Sequence, residues 1–401
     1  MSQAVSPPPA SPADATPGGM LLLTFGLIGV FAFIQVYAVQ AILPLLVRDF
    51  QASVVQAGST VGATVLAVAL TAPFTGMLSD ALGRKPIIVG SVFFLAVPTA
   101  LMFFVTDIQW MILLRFLQGL AVPGITVVTI AYIGEEFRTR AMARAMSVYV
   151  AGTVLGGFLG RFLLGHLSAV MEWRSAFLLM AVANLLGALL VWRFLPASRN
   201  FIANPDMRSG LQMLGRHLRN RSVLTACALG VCVLFTLVGG FTYINLYLAD
   251  APYHLDTGAL GNIFAVYLLG VVITPVAGRL LPRFGFRRTI LLALGMSLIG
   301  LWLTLLPGVP LIVLALAIMS SGIFITQSAT ISFIAHKVET GRSLASGLYY
   351  MAYYSGGFLG AWLCGLAYAR GHWHGAVAAL TAALLGALLI GYRLLPPKSA
   401  A

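Results

Sequence analysis

Charge is scarce in this chain, because only 9% of its 401 residues are Asp, Glu, Lys or Arg. Ordinary soluble domains carry about 25% charged residues, so this composition excludes a globular protein with a solvated surface. Hydrophobic residues make up 60% of the sequence, which excludes a disordered chain. The sequence therefore predicts a polytopic membrane protein whose apolar surface faces lipid. The formal net charge of +13 then needs no nucleic-acid partner.

Cysteine is also rare. Cys227, Cys232 and Cys364 all lie in apolar segments, and their spacing fits neither a disulfide framework nor a Cys/His metal cluster. We expect buried, reduced thiols at these positions, and no bound metal or organic cofactor.

Long apolar runs fill most of the chain. A membrane span needs about 20 apolar residues at a rise of about 1.5 Å each. Charges and turn-forming residues separate twelve runs of that size, at 20–46, 54–78, 86–105, 109–132, 145–168, 175–196, 222–248, 258–281, 288–306, 310–335, 343–368 and 374–395. The sequence thus predicts an all-α membrane protein with twelve transmembrane helices.

The domain organisation follows from one long polar connection at the midpoint of the chain. It covers residues 197–221 and predicts a cytoplasmic linker between two six-helix bundles, 20–196 and 222–395. Residues 1–19 are rich in Pro, Ser and Ala and predict a disordered cytoplasmic tail, and 396–401 form a short tail at the other terminus.

Basic residues are distributed unevenly over the connections. If the N-terminus is cytoplasmic, the external connections hold only Arg48, Arg174 and Arg370 among 24 Lys and Arg residues. Loops rich in Lys and Arg stay on the cytoplasmic side of bacterial membranes. The pattern therefore predicts that both termini are cytoplasmic.

The two halves of the chain repeat one another. The pentapeptide Gly-Gly-Phe-Leu-Gly at 156–160 recurs at 356–360, and a second glycine pattern at 76–83 recurs at 278–285. Two matches at nearly one offset, in equivalent spans, predict an internal duplication. Carriers with duplicated bundles rock the two halves about a site near the bilayer midplane.

The connection after the second span has a distinctive sequence, Gly-Met-Leu-Ser-Asp-Ala-Leu-Gly-Arg-Lys-Pro at 76–86. Gly76 permits a close helix approach, Gly83 permits a tight turn, and Pro86 suits the first turn of a helix. Asp80 can form charge-assisted hydrogen bonds with basic neighbours. The segment resembles the signature loop of the major facilitator superfamily at every characteristic position. Together with the spans and the repeat, the resemblance covers essentially the whole chain.

In that superfamily the loop belongs to a cytoplasmic ion network that holds the outward-open state and breaks on inward opening. The resemblance implies a conformational gate formed by Gly76, Asp80, Gly83, Arg84, Lys85, Glu135, Glu136 and Arg138. Either Glu135 or Glu136 supplies the opposing carboxylate. The alternative is that these charges only anchor loops to lipid headgroups.

Apart from arginines within three residues of a span end, two arginines lie inside predicted spans, where each costs about 3 kcal/mol to insert. Arg115 lies in a segment that resembles the superfamily's fourth-span motif, whose arginine is implicated in proton coupling or substrate charge recognition. A static hydrogen bond to a neighbouring helix is the alternative. For Arg161 in the fifth span, the alternatives to a substrate-binding role are snorkelling to outer headgroups and pairing with Asp49.

Glycines recur in the fifth and eleventh spans, and we expect them to pack helices closely. They are Gly152, Gly156, Gly157, Gly160, Gly356, Gly357 and Gly360. The glycines of the fifth span are similar to the glycine-rich antiporter motif of the superfamily's drug exporters, with Gly157 in place of the proline expected after Gly156.

None of the 11 acidic residues lies near the centre of a predicted span. The cavity would then hold arginine without a counter-ion, which favours a neutral or anionic substrate. Polar and aromatic residues within spans are the candidate substrate-binding or proton-coupling residues beside the two arginines: Gln35, Tyr37, Gln40, Tyr243, Asn245, Tyr267, Gln327, Tyr350 and Tyr354. For each of them the alternative is a hydrogen bond between helices or anchoring at the membrane interface.

The resemblance thus implies a transporter of the bacterial inner membrane, similar to the drug and sugar efflux branch of the superfamily. We expect alternating access, export of a small molecule, proton antiport as the driving force, and function as a monomer. The chain is not expected to be an enzyme. Import or facilitated diffusion of a small organic anion remains an alternative, and a transport-dead sensor or scaffold is a distant one.

Overall fold

The computed structural model describes residues 17–198, 215–338 and 342–396, which are largely helical and contain no strand. Most of the predicted N-terminal tail and of the predicted linker lies outside these ranges, as do residues 397–401.

Within the described residues, seven α-helices form the first half of the chain. They are α1 (Gly19–Ile34), α2 (Leu43–Asp49), α3 (Val54–Leu82), α4 (Arg84–Leu101), α5 (Ile108–Glu136), α6 (Thr139–Val170) and α7 (Trp173–Phe194). A 3-10 turn at Ala38–Ile42 lies between α1 and α2, which are bent by 45° relative to each other. Together α1 and α2 form one broken span.

Five further α-helices form the described part of the second half. They are α8 (Arg221–Ala249), α9 (Thr257–Ile263), α10 (Leu269–Leu303), α11 (Val309–Lys337) and α12 (Arg342–Leu394). A 3-10 segment, Phe264–Leu268, joins α9 to α10.

Two of these helical segments are too long for one crossing of a bilayer. Thr257–Leu303 has 47 residues, which would extend about 70 Å at 1.5 Å per residue. Its backbone breaks at Gly285, where φ is 74°. The 53-residue α12 breaks at Gly371 and His372. Each segment therefore holds two spans, and the described residues form twelve spans in all, which confirms the predicted all-α architecture.

The glycine repeat packs equivalent helix pairs in the two halves. A Cβ atom placed on Gly156 would lie 2.3 Å from the carbonyl oxygen of Val30, so α6 and α1 touch through their backbones. On Gly356 it would lie 2.1 Å from the carbonyl oxygen of Val231, which joins α12 to α8 in the same way. Gly157 lies off this interface, since its Cβ would meet only Arg161 Nη1, at 3.7 Å.

The ends of the bundle are defined by its turns. The turns at Gly83, Phe137 and Gly285 lie at one end, here called the basic end, and the turns at Met171 and Gly371 lie at the opposite end. Gly83 and Gly285 occupy equivalent places in the repeat, and both have positive φ, which glycine adopts without steric cost.

The two halves pack together toward the opposite end. In α3, Cβ atoms on Gly58 and Gly62 would lie 3.2 Å from atoms of Ala361 in α12. In α6, a Cβ on Gly165 would lie 2.5 Å from the carbonyl oxygen of Thr257. Small residues thus allow backbones from different halves to approach closely in a chain that has little polar surface.

Candidate functional site

Arg115 lies on α5 and is fully buried. Its guanidinium donates from Nε to the carbonyl oxygen of Thr60 at 3.1 Å, and from Nη1 to the carbonyl oxygen of Gln35 at 2.6 Å. It also donates to the carbonyl oxygen of Val36 and, at 2.6 Å, to Oε1 of Gln118. These carbonyls lie on α3 and in the break between α1 and α2, so Arg115 holds the broken span in place.

The network continues beyond Arg115 within the first half. Gln118 donates from Nε2 to Thr99 Oγ1 at 2.7 Å, and the Thr99 hydroxyl donates to the carbonyl oxygen of Leu95 at 2.6 Å. Every acceptor of the Arg115 guanidinium is therefore a neutral group of the first half. This arrangement agrees with the alternative hypothesis for Arg115, a static set of hydrogen bonds to neighbouring helices.

Arg161 lies on α6 with only 1% of its surface exposed. The centre of its guanidinium, Cζ, is 4.6 Å from the ring centroid of Tyr37 and 4.5 Å from the centroids of both Phe264 and Tyr267. We call these three rings around Arg161 the aromatic cage. Cation–π attraction of this kind stabilises a buried cation that lacks a carboxylate partner.

Hydrogen bonds fix the guanidinium of Arg161 within the aromatic cage. Nε donates to Oε1 of Gln40 at 2.8 Å, and Nη1 donates to the carbonyl oxygen of Gly157. Gln40 in turn donates from Nε2 to Thr242 Oγ1 on α8, at 2.9 Å. Among the described residues, Nη2 of Arg161 has no hydrogen-bond acceptor, so one amino group of the guanidinium is uncommitted.

Pairing of Arg161 with Asp49, one of the alternatives from sequence, is wrong. Asp49 Oδ2 accepts a hydrogen bond from Trp173 Nε1 at 2.9 Å, and Oδ1 accepts one from Arg48 Nε at 3.1 Å. Asp49 therefore stabilises the connection at the opposite end. In the part of the chain that the structure describes, no salt bridge includes either of the two arginines inside spans.

Two of the predicted site residues are held in helix packing, Tyr243 where α12 of the second half meets Gly58 of α3 and Asn245 within α8. The hydroxyl of Tyr243 donates to the carbonyl oxygen of Ala361, and its ring lies 5.5 Å from that of Tyr368. Asn245 donates from Nδ2 to the carbonyl oxygen of Phe241 on its own helix, at 2.8 Å. Both residues are fully buried, and the structure does not bring them to Arg161.

Four tyrosines of the eleventh span divide into two faces. Tyr349 and Tyr353 are buried, and Tyr349 packs against Gly230 of α8. Tyr350 and Tyr354 are half-buried, as is Gln327 on α11. Tyr350 and Tyr354 therefore lie on the less buried face of the span, and their contact with substrate stays a prediction.

Gln35 and Tyr37 lie in the break of the first span. The carbonyl of Gln35 is bound by Arg115, whereas its side-chain Oε1 is buried without a hydrogen-bond partner among the described residues. The ring of Tyr37 lies against the guanidinium of Arg161. The break thus brings Gln35, Tyr37 and Gln40 to the two arginines.

Three of the predicted gate residues, Asp80, Arg84 and Glu135, form a compact ion cluster at the basic end. Arg84 donates to Glu135 through Nη2 at 2.6 Å and through Nε at 3.2 Å. Its Nη1 lies 2.5 Å from Asp80 Oδ1 and also donates to Ser79 Oγ. The cluster joins α3, α4 and α5, and Glu135 is a carboxylate that contacts Arg84.

Gly76 does not make the close helix approach expected from the sequence. A Cβ atom at Gly76 would have no neighbour within 4 Å. Lys85 is half-buried and Arg138 exposed beside the ion cluster, and Glu136 is half-buried next to Glu135.

The model of the Major Facilitator Superfamily matches residues 25–361, and a second match covers residues 248–401. The chain belongs to the major facilitator superfamily. This is a family of membrane transporters.

Relatives of this superfamily member include bacterial transport proteins. The inner membrane transport protein YnfM of Escherichia coli K12 is 30% identical over 367 residues, which are 91% of this chain and 88% of YnfM. The chloramphenicol resistance protein CraA of Acinetobacter baumannii is 27% identical over 273 residues, 65% of this chain and 63% of CraA.

The fold of this superfamily member is also seen in solved structures. A bacterial homologue of the human lysosomal transporter Spinster superposes with a TM-score of 0.76 at 17% sequence identity, covering 95% of this chain and 98% of the homologue. At this identity the similarity describes the shared fold.

Sequence reasoning missed several residues of the site in this superfamily member. Phe264 completes the aromatic cage, Thr242 binds Gln40, and Thr60 offers its carbonyl to Arg115. His166 and Asn262 form a further hydrogen bond between the halves, at 2.9 Å. Phe264 and Thr242 are ordinary residues of apolar spans, so no motif identifies them.

The ion cluster of the superfamily loop gives a first prediction. Glu135→Gln removes the charge from the carboxylate that binds Arg84 twice, and we expect it to lower the free energy of unfolding by about 2 kcal/mol, since hydrogen bonds to charged groups contribute about that much. Thermal unfolding of the purified protein in detergent measures the loss.

The matched control for Glu135→Gln is Arg140→Gln, which also removes one charge at the basic end, on an exposed side chain. Surface charges contribute little, so this variant should unfold at the wild-type temperature. Equal unfolding temperatures for both variants would contradict a stabilising role of the Arg84 cluster.

Proposed function

We propose that the protein is a secondary transporter that exports small neutral or anionic organic molecules by alternating access, in exchange for protons. The observation that carries this proposal is the buried guanidinium of Arg161, with an uncommitted amino group and no carboxylate partner among the described residues. A buried positive charge attracts anions and repels cations in a site of low dielectric constant.

The orientation is part of the proposal. Because most Lys and Arg residues fall in one set of connections, the basic end faces the cytoplasm of a bacterial inner membrane, and so do both termini. The residues 197–221 then form a cytoplasmic linker between the two bundles. The protein works as a monomer without a bound cofactor, and the proton gradient supplies the energy.

The direction of transport is supported by relatives and by one motif. CraA is described as a chloramphenicol resistance protein, and the glycine series of α6 resembles that of drug exporters. A second candidate function is facilitated uptake of a small organic anion, which Gly157 favours because the exporter motif has proline at that place.

The test uses proton flux in energised everted vesicles that contain the overexpressed protein, followed with a pH-sensitive dye. Three probes of similar shape separate the charge classes: benzenesulfonate is an anion, benzenesulfonamide is neutral, and benzyltrimethylammonium is a cation. We expect the anion and the neutral probe to dissipate the gradient and the cation to have no effect.

The control variant is Arg161→Gln, which keeps a polar side chain but removes the charge. We expect the response to benzenesulfonate to fall at least tenfold, about 1.4 kcal/mol in binding, and the response to benzenesulfonamide to persist. Dissipation by the cation alone would contradict the proposal. No dissipation in vesicles, combined with accumulation of labelled benzenesulfonate by intact cells, would favour the uptake function.

A further inference from the structure

The aromatic cage joins the two halves of the molecule around one charge. Arg161 and Tyr37 belong to the first half, whereas Phe264 and Tyr267 belong to the 3-10 segment between α9 and α10. Phe241 of α8 packs behind this segment, with ring centroids 5.7 Å from Phe264 and 4.7 Å from Tyr267. Two of the three rings that solvate the guanidinium therefore come from the partner half.

Other contacts between the halves lie close to the aromatic cage. Gln40 accepts a hydrogen bond from Arg161 and donates one to Thr242 of the second half. The backbone of α6 at Arg161 also touches the second half, since a Cβ on Gly261 would lie 3.1 Å from the carbonyl oxygen of Arg161. Separation of the halves at the opposite end must therefore pull Phe264 and Tyr267 away from the guanidinium.

The charge of Arg161 makes this separation costly without a ligand. Separation would remove two aromatic faces from the guanidinium of Arg161, which is buried and has no carboxylate partner among the described residues. An anion bound to Nη2 offsets this cost of separation, because charge-assisted hydrogen bonds to guanidinium are stronger than contacts with aromatic faces. A neutralised guanidinium then attracts the rings of the second half less.

We propose that the aromatic cage is a latch that keeps the opposite end closed, and that a transported aromatic anion releases it. The anionic group of the ligand, a carboxylate or a sulfonate, binds Nη2 of Arg161, and its ring takes the place of Phe264 or Tyr267 against the guanidinium. The release of the latch couples ligand binding to the opening of the opposite end. The ligand class in this proposal rests on the proposed function, whereas the latch itself does not.

The test measures the distance across the opposite end in the full-length protein. Spin labels are attached to cysteines placed at the exposed residues Val170 and Ala369, one in each half, after replacement of the three native cysteines. Electron–electron double resonance in lipid nanodiscs then measures the distance between the two labels and reports the closed and open populations. The probes are benzenesulfonate and its neutral counterpart benzenesulfonamide.

Cage variants test the latch without any ligand. Tyr267→Leu removes one aromatic face, and we expect the open population to rise at least threefold. Tyr267→Phe keeps the aromatic face and should have the same open population as the protein with Tyr267. Should the leucine variant fail to fold, Phe264→Leu compared with Phe264→Tyr makes the same distinction.

Ligand titration tests the release. We expect benzenesulfonate to raise the open population at least threefold, and clearly more than neutral benzenesulfonamide, which brings no charge to Arg161. In Arg161→Gln, benzenesulfonate should have no effect on the distance.

Two results would overturn the proposal. An unchanged distance distribution in both leucine variants would show that the aromatic cage is no latch. If the leucine variants raise the open population but benzenesulfonate does not, anions do not release the latch. Neither result depends on the vesicle flux, so failure of the latch and failure of the proposed transport are separate outcomes.

Discussion

Arg115→Ala is expected to lower the free energy of unfolding by about 3 kcal/mol or more, because it leaves several buried acceptors without a donor. The carbonyl oxygens of Gln35, Val36 and Thr60 would lose their donor in a dry interior. Each buried acceptor left unsatisfied costs about 1–3 kcal/mol. The break between α1 and α2 would then lose the side chain that holds it.

The measurement for Arg115→Ala combines thermal unfolding in detergent with the vesicle assay. Because Arg115 positions the broken span, we expect transport of benzenesulfonate and of benzenesulfonamide to fall together. Arg161→Gln is the matched comparison, since it removes the other buried guanidinium and should lower transport of the anion far more than transport of the neutral probe. Loss of the anion response only, with wild-type stability, would instead place Arg115 in direct contact with substrate charge.

Arg115→Lys gives a finer comparison. An ammonium group has three donors at a single point, whereas the guanidinium of Arg115 reaches four acceptors on three elements. We expect only partial recovery of stability. Full recovery would mean that the charge, rather than the geometry of the bonds, holds the broken span.

Gly160→Ala is expected to cost about 3 kcal/mol, the upper range for overpacking an interior. A Cβ at this position would lie 1.9 Å from the carbonyl oxygen of Ile34 and 2.8 Å from its carbonyl carbon. These are backbone atoms at the end of α1, so no side-chain rotation relieves the clash. The helices must separate, and the break that carries Gln35 and Tyr37 moves with them.

The control for Gly160→Ala is Gly157→Ala, the same chemical change on the same helix. Its Cβ would meet only the flexible end of Arg161, at 3.7 Å. We expect wild-type unfolding and yield for this variant, and a lower unfolding temperature and low transport for Gly160→Ala. Similar behaviour of the two alanine variants would contradict the close contact of α6 with α1.

The repeat supplies a further check on the second half. Gly360→Ala would place a Cβ 2.4 Å from the carbonyl oxygen of Phe235 on α8. We expect a loss of stability of the same kind as for Gly160→Ala, because both glycines hold equivalent helix pairs.

The sequence by itself determined the class of structure, the twelve spans and the duplication. Apolar runs of about 20 residues have only one stable environment, and the backbone must be helical there because lipid offers no hydrogen bonds. It also determined the turns at Gly83 and Gly285, whose positive φ suits a residue without a side chain. The loop motif predicted that Arg84 meets Asp80 and a carboxylate of α5, and the structure chose Glu135.

Only the tertiary structure decided what surrounds the two arginines. Spans that are apolar on every side carry no amphipathic pattern, so the sequence does not say which helix faces which. The aromatic cage joins positions 37, 161, 264 and 267 from three spans, and Arg115 binds main-chain carbonyls that any residue offers. A guanidinium inside a membrane must find partners, but which atoms these are depends on how the helices pack.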